Sequence, residues 1–220
     1  MRESVEIEIA GERLEARGDR TLYWHAEETL FVADLHLGKG ASFRAGGVPV
    51  PAGSTAATLE ALTRAVEASG ARRIVVLGDL WHARAGRTDE NRAAFAMWRQ
   101  GRELLLVLGN HDRGAGGEPD AIEPGRTLGP FALHHFPEPD PHGYTLCGHL
   151  HPAVQLAGFG GDSLRLPCFW FGERVGVLPA FGDLTGVATI RPLPQDRVVA
   201  VAEGKSAIVP YRDRFASRRR

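Results

Sequence analysis

Aspartate, histidine and asparagine gather in four short segments of this chain. These are Asp34-Leu35-His36, Gly78-Asp79-Leu80-Trp81-His82, Gly109-Asn110-His111-Asp112 and Gly148-His149-Leu150-His151-Pro152, in that order. Their side chains ligate divalent cations that tolerate mixed oxygen and nitrogen coordination. Each segment directly follows an apolar run, so a buried strand would deliver its last side chains to an open edge. The chemistry this suggests is two-metal phosphoester hydrolysis, in which paired cations neutralise the phosphoryl oxygens.

The elements that must position these segments can be read around them. Residues 29–33, 74–77 and 104–108 are short apolar runs that read as strands, each ending at one of the first three segments. After a Gly- and Pro-rich loop over 38–53, Leu59, Leu62 and Val66 recur at helical spacing within 56–68, and Gly70 stops that helix. Thr88 is the expected N-cap of a second helix, with Asp89 and Glu90 in its first turn and Phe95 and Trp98 on its buried face. Upstream, Val5, Ile7 and Ile9 alternate with Glu6 and Glu8 before a turn at Gly11-Glu12, which predicts a hairpin.

That order of strand, segment and helix is an α/β arrangement with ligands gathered at the carboxyl ends of neighbouring strands. From Phe131 onward helical periodicity fades, and short runs recur at 131–135, 144–147, 164–171, 187–190, 198–201 and 207–209. A second, mainly antiparallel sheet packed on the first accounts for them. No linker separates the halves, so a single domain over 1–211 is expected, followed by a basic tail at 212–220 that either solubilises the chain or lends affinity for a nucleic-acid backbone.

Composition sets the context. The 220 residues are 43% hydrophobic and 24% charged with a formal net charge of -1, an ordinary globular balance that argues against a globally basic nucleic-acid wrapper. Two cysteines, Cys147 and Cys168, fit neither a disulfide framework nor a Cys-based zinc site, so a reducing cytoplasm is expected. The first residues show no apolar signal region, and no window is apolar enough for a membrane span.

The motifs D-x-H, G-D, G-N-H-D and G-H-x-H over residues 29–152 resemble those of the calcineurin-like metallophosphoesterase superfamily. The resemblance implies a two-sheet sandwich with α/β/β/α layers and its active site at the carboxyl ends of the strands. It further implies that Asp34, His36 and His151 hold one metal ion, that Asn110, His149 and an upstream histidine hold the other, and that Asp79 bridges them. The upstream histidine lies in His134-His135, where neighbouring strand residues point to opposite faces and only one can reach the metal. His135, directly before Phe136-Pro137, is preferred over His134 because relatives place the ligand similarly.

By the same resemblance His111 faces the scissile phosphate, stabilises developing charge and protonates the leaving oxygen, while Asp112 orients it or holds the loop. A hydroxide between the cations would attack phosphorus. Two divalent cations less two carboxylates and one hydroxide leave roughly one positive charge, matching a phosphodiester. A phosphomonoesterase for a small phosphate ester or a phosphoprotein is the alternative.

Within the superfamily, residues 34–39, Phe43-Arg44, residues 48–51, residues 78–82 and Leu178-Pro179-Ala180-Phe181-Gly182 resemble small bacterial phosphoesterases associated with DNA ligase and repair helicases. That group comprises manganese-dependent DNA endonucleases. The implied cofactor is therefore a pair of Mn2+ ions, with Fe or Zn as alternatives, the implied substrate is DNA, single-stranded by preference, and the implied partners are ligase and helicase repair proteins. Lys39 and Arg44 follow the first ligands and could hold flanking phosphates or simply be solvated loop charges. His82 is expected either to line the substrate side or to fix the bridging carboxylate. Phe43, Trp81 and Trp170 are core residues or, less in keeping with their usual place, base-stacking platforms. His25 and His142 are expected on the surface or in turns, and residues 114–117 in a flexible loop.

Overall fold

Nearly continuous apolar runs in its central strands give the first sheet two apolar faces. The computed structural model describes residues 3–118, 120–157 and 162–210, so the basic tail at 212–220 lies outside the described residues. Strands β1 (Ser4–Ile9) and β2 (Glu12–Arg17) form the expected hairpin. Its turn sits at Ala10 (φ 52°) and Gly11 (φ 81°), one residue earlier than the sequence suggests, because two positive φ angles match the twist of a two-residue hairpin. Strands β3 (Leu22–Trp24) and β4 (Thr29–Val32) continue the antiparallel meander.

Helices α1 (Lys39–Ala45) and α2 (Ser54–Ser69) then lead to β5 (Arg73–Leu77), and α3 (Asp89–Arg99) leads to β6 (Glu103–Val107) and α4 (Asn110–Ala115). β4, β5 and β6 pair in parallel, completing a sheet in the order β1-β2-β3-β4-β5-β6. α3 is capped as expected, with Thr88 Oγ1 accepting the Asn91 amide at 3.2 Å. α1 falls where only a loop was expected: at seven residues it is too short to show a period, and Gly38 and Gly46 set its ends.

The second sheet contains β7 (Arg126–Leu128), β8 (Phe131–Leu133), β9 (Tyr144–Cys147), β10 (Pro152–Ala157), β11 (Ser163–Phe171), β12 (Val175–Val177), β13 (Ala188–Thr189), β14 (Arg197–Ala202) and β15 (Lys205–Val209). Its order is β13-β10-β11-β12-β9-β8-β7, with β14 on β11 and β15 on β14. Five of its pairings are antiparallel and three are parallel, so the sheet is mixed with an antiparallel majority. The parallel pair β8-β9 matters most, since it turns the carboxyl ends of these two strands the same way.

Packing follows the two-residue period of the strands. Phe31, Val75 and Leu77 face inward and meet Phe131, Leu133, Leu146 and Phe169 of the second sheet. Leu30, Val32, Ile74 and Val76 face outward onto Leu59 and Leu62 of α2 and Phe95 of α3. Phe131 is fully buried, and burial of such a side chain contributes roughly 1.5–3 kcal/mol. The two-sheet sandwich of the resemblance is thus present. Its outermost layer differs: among the described residues all four helices end by Ala115, and the outer face of the second sheet carries a small apolar cluster of Val154, Cys168, Val198 and Ala200.

Candidate metal centre

Five strand ends converge between the sheets. Asp34 and His36 follow β4, Asp79 follows β5, Asn110 follows β6, His135 follows β8, and His149 and His151 follow β9. Backbone hydrogen bonds carry the β4-β5 pairing into the loops, with Asp34 N to Gly78 O at 3.2 Å, His36 N to Asp79 O at 2.9 Å and Leu37 N to Leu80 O at 2.7 Å. The side chains nonetheless need backbone angles outside the strand region. Asp34, His36, Asp79, His149 and His151 all adopt φ between 47° and 68°. Each such residue costs of order 1–3 kcal/mol, and strain of this kind collects at functional sites.

Glycines in the motifs give these side chains room. A Cβ on Gly109 would lie 2.1 Å from Asp79 Oδ1, and one on Gly78 would lie 2.1 Å from His135 Nδ1. Asp112 braces the same loops, accepting the amides of Gly109 at 3.0 Å and Trp81 at 2.8 Å. Of its two expected tasks, this contact corresponds to holding the loop. Residues 178–182 brace from the other side, where Phe181 N donates to Ala33 O at 2.9 Å and Gly182 N to Asp34 O at 3.1 Å. The sequence marks that segment only as a resemblance and gives no hint of its bracing contacts.

Two groups of potential ligand atoms result. Asp34, His36 and His151 form one, with His36 Nε2 at 3.3 Å from His151 Nε2 and Asp34 Oδ2 at 3.6 Å from His151 Nε2. Asp79, His135 and His149 form the other, and Asn110 Oδ1 joins it at 2.9 Å from His135 Nε2, which is 3.1 Å from His149 Nδ1. Asp79 Oδ2 stands between them, 3.9 Å from His36 Nε2 and 3.4 Å from His135 Nε2. His134 turns away and pairs with Asp140 at 2.8 Å. Of the adjacent histidines, it is His135 that enters the group.

Electrostatics show what these groups lack. Asp34 Oδ1 is buried and accepts no hydrogen bond among the described residues. Burial, with the Asp34 charge behind it, pushes the Asp79 carboxyl up to about 8. Burial pushes His36 down to about 2 and lowers His135 and His149 as well, leaving neutral imidazoles with lone pairs to give. His135 Nδ1 faces Leu77 O at 3.3 Å, so a proton held there would leave the Nε2 lone pair facing Asn110 Oδ1 at 2.9 Å. Ring nitrogens gathered around an orphaned carboxylate oxygen suit positive charge, and divalent cations fit this donor set.

Around the centre, His82 Nδ1 lies 3.4 Å from His36 Nδ1, so His82 meets a candidate ligand's outer nitrogen rather than Asp79. Burial and then Lys39 push His82 down to about 4, which keeps it neutral. His111 stacks on His82 with ring centroids 5.1 Å apart, and its Nδ1 donates to His82 O at 2.6 Å. His36, His82 and His111 bring ring nitrogens together into a third group.

Lys39 is half-buried close enough to Asp34 to feel its charge, whereas Arg44 is turned to its own loop and donates to Pro51 O at 2.9 Å. Trp81 is buried and Trp170 lies on the outer face of the second sheet, which leaves Phe43, half-buried and 6.0 Å from the His82 ring, nearest the centre. Phe136, which the sequence reading passes over, also lies at its edge, 4.4 Å from the His149 ring.

The chain matches no family model and no curated protein. Among solved structures it is similar to the nuclease MPE of Pseudomonas putida, at 38% identity over 90% of this chain and 96% of that one, with a TM-score of 0.75. Identity of that size across nearly the whole of both chains, on the two-sheet sandwich and motifs described above, means that this chain belongs to the nuclease MPE family of calcineurin-like metallophosphoesterases.

Proposed function

We propose that this chain is a two-metal phosphodiesterase that cleaves DNA, single strands by preference. Asp34, His36 and His151 would hold one ion, Asn110, His135 and His149 the other, and Asp79 would be shared. The observation that carries this is Asp79 Oδ2, within 3.9 Å of one histidine group and 3.4 Å of the other. The oxygen and nitrogen donors suit Mn2+, with Fe or Zn as alternatives, and such a pair supplies charge neutralisation on a phosphate and a more acidic bound water.

The chain's own residues do the rest. With its Nδ1 proton engaged by His82 O, His111 keeps Nε2 free to hold a proton for the leaving oxygen. His82 keeps His36 in one orientation through their facing Nδ1 atoms. Lys39 adds positive charge beside the centre, where it would hold a phosphate oxygen.

The likeness to nuclease MPE supports a nucleic acid as substrate. The preference for DNA, the setting in repair and the ligase and helicase partners rest on the motif resemblance. Cys147 and Cys168 are buried free thiols, as suits a protein of a reducing cytoplasm. Protein stripped by a chelator and reloaded with Mn2+ should cleave single-stranded DNA and an aryl phosphodiester faster than an aryl phosphomonoester, and His111→Ala should lose this turnover. Preference for the monoester with no DNA cleavage would make it a phosphomonoesterase, and absence of any metal-dependent turnover would refute both.

A further inference from the structure

An aromatic ring stands open to water at the rim of the metal centre. Phe136 retains 39% exposure although it follows the fully buried His135 directly. Its ring lies 4.4 Å from that of His149 and 5.0 Å from that of His135, so one side rests on the two imidazoles of a single candidate metal group. Covering those imidazoles would account for the packed side. It does not account for the exposed side, which keeps apolar surface in water beside a polar centre.

Across the centre the half-buried Phe43 flanks His82, which in turn meets His36 of the other group. Aromatic rings therefore stand at both ends of the row of histidines. A phosphodiester held by the metal pair would send its two nucleosides in opposite directions, and a base offers a flat π-face to such a ring. A duplex cannot do so without breaking its own stacking.

We propose that Phe136 is a nucleobase platform, stacking the base next to the scissile phosphate on the His149 side and thereby selecting unpaired strands. This rests on the reading of the centre as a DNA phosphodiesterase.

The test compares a short thymidine oligonucleotide with the same backbone carrying abasic residues, both cut by the Mn2+-loaded protein. Wild type should prefer the base-bearing strand about tenfold in kcat/KM, the size of one stacked base, with the difference in KM. Phe136→Ala should abolish that preference, read as the ratio of the two strands so that any loss common to both cancels, and Phe136→Trp should restore it. An equal fall on both strands would make Phe136 only a support for His149, and the platform would be overturned. Equal rates of wild type on the two strands would overturn it as well. Failure of wild type to cut either strand would instead sink the phosphodiesterase reading, and the platform with it.

Discussion

The backbone N–H of His149 donates to Asp34 Oδ2 at 2.8 Å, across 115 residues of chain. A carboxylate on the first sheet thus fixes the start of the histidine loop on the second, and each half of the centre is built partly by the other. Only one oxygen of Asp34 is spent in this way. Oδ1 accepts no hydrogen bond among the described residues and lies 3.8 Å from His135 Nδ1.

The acidity of Asp79 makes metal binding visible in stability. Its folded-state pKa of about 8 lies above the unfolded carboxylate value of about 3.9, so its contribution is fully present below about pH 4 and is lost as the pH rises through 8. In the presence of a chelator, thermal unfolding should occur at lower temperature at pH 8.5 than at pH 6. Each kcal/mol moves the midpoint by about 2–4 °C in a chain of this size. Mn2+ should reverse the loss, and Asp79→Asn should remove both the pH dependence and the response to metal. A metal response that survives this substitution would place the ions elsewhere.

His111 is expected to act on the reaction rather than on metal affinity. Replacing it by Ala should lower kcat by about 10²–10⁴-fold, the usual size of an acid–base contribution. Calorimetric titration with Mn2+ should show affinity close to wild type. A comparable loss of affinity would make His111 a ligand in the group it forms with His36 and His82.

The two adjacent histidines should separate cleanly. His135→Ala removes a member of the Asp79 group, and turnover and half of the metal stoichiometry should go with it. His134→Ala removes the contact to Asp140 and should leave both unchanged. Metal content by elemental analysis, alongside turnover of an aryl phosphodiester, distinguishes them.

Gly109→Ala tests the packing of the centre without replacing a proposed ligand. The added methyl would meet Asp79 Oδ1 at 2.1 Å and Asp79 N at 2.4 Å and displace that residue. Mn2+ affinity should fall by about 10–100-fold, as for other changes beside a metal ligand, while circular dichroism stays native. Unchanged affinity would mean that Asp79 does not need its present position.

How much of this was legible in the chain depends on the range of each signal. The strands ending at Asp34, Asp79 and Asn110 were readable because apolar runs and motif residues are neighbours in sequence. Helix α2 was readable from its period, but α1 was not, having too few residues to show one. In the second half, β7, β10 and β12 escaped notice: β7 and β12 are three residues long, and β10 begins at the last residue of the histidine motif.

The centre itself divides in the same way. Residue chemistry marked the four segments, since ligand types and their local spacing are written in the chain, and the motif resemblance singled out Asp34, His36, Asp79, Asn110, His149 and His151 within them. Residue chemistry could not choose between His134 and His135, because a strand's alternation says that the two point apart and not which one faces inward. Packing decided that, when Phe131 and Leu133 turned into the core between the sheets and His135, two residues on, stayed on their side beside Gly78. The tertiary structure alone also engaged Asp112 with the backbone amides of Trp81 and Gly109 and left Phe136 open at the rim. Each of these depends on contacts between distant parts of the chain, and the position of a residue in its own segment carries no record of them.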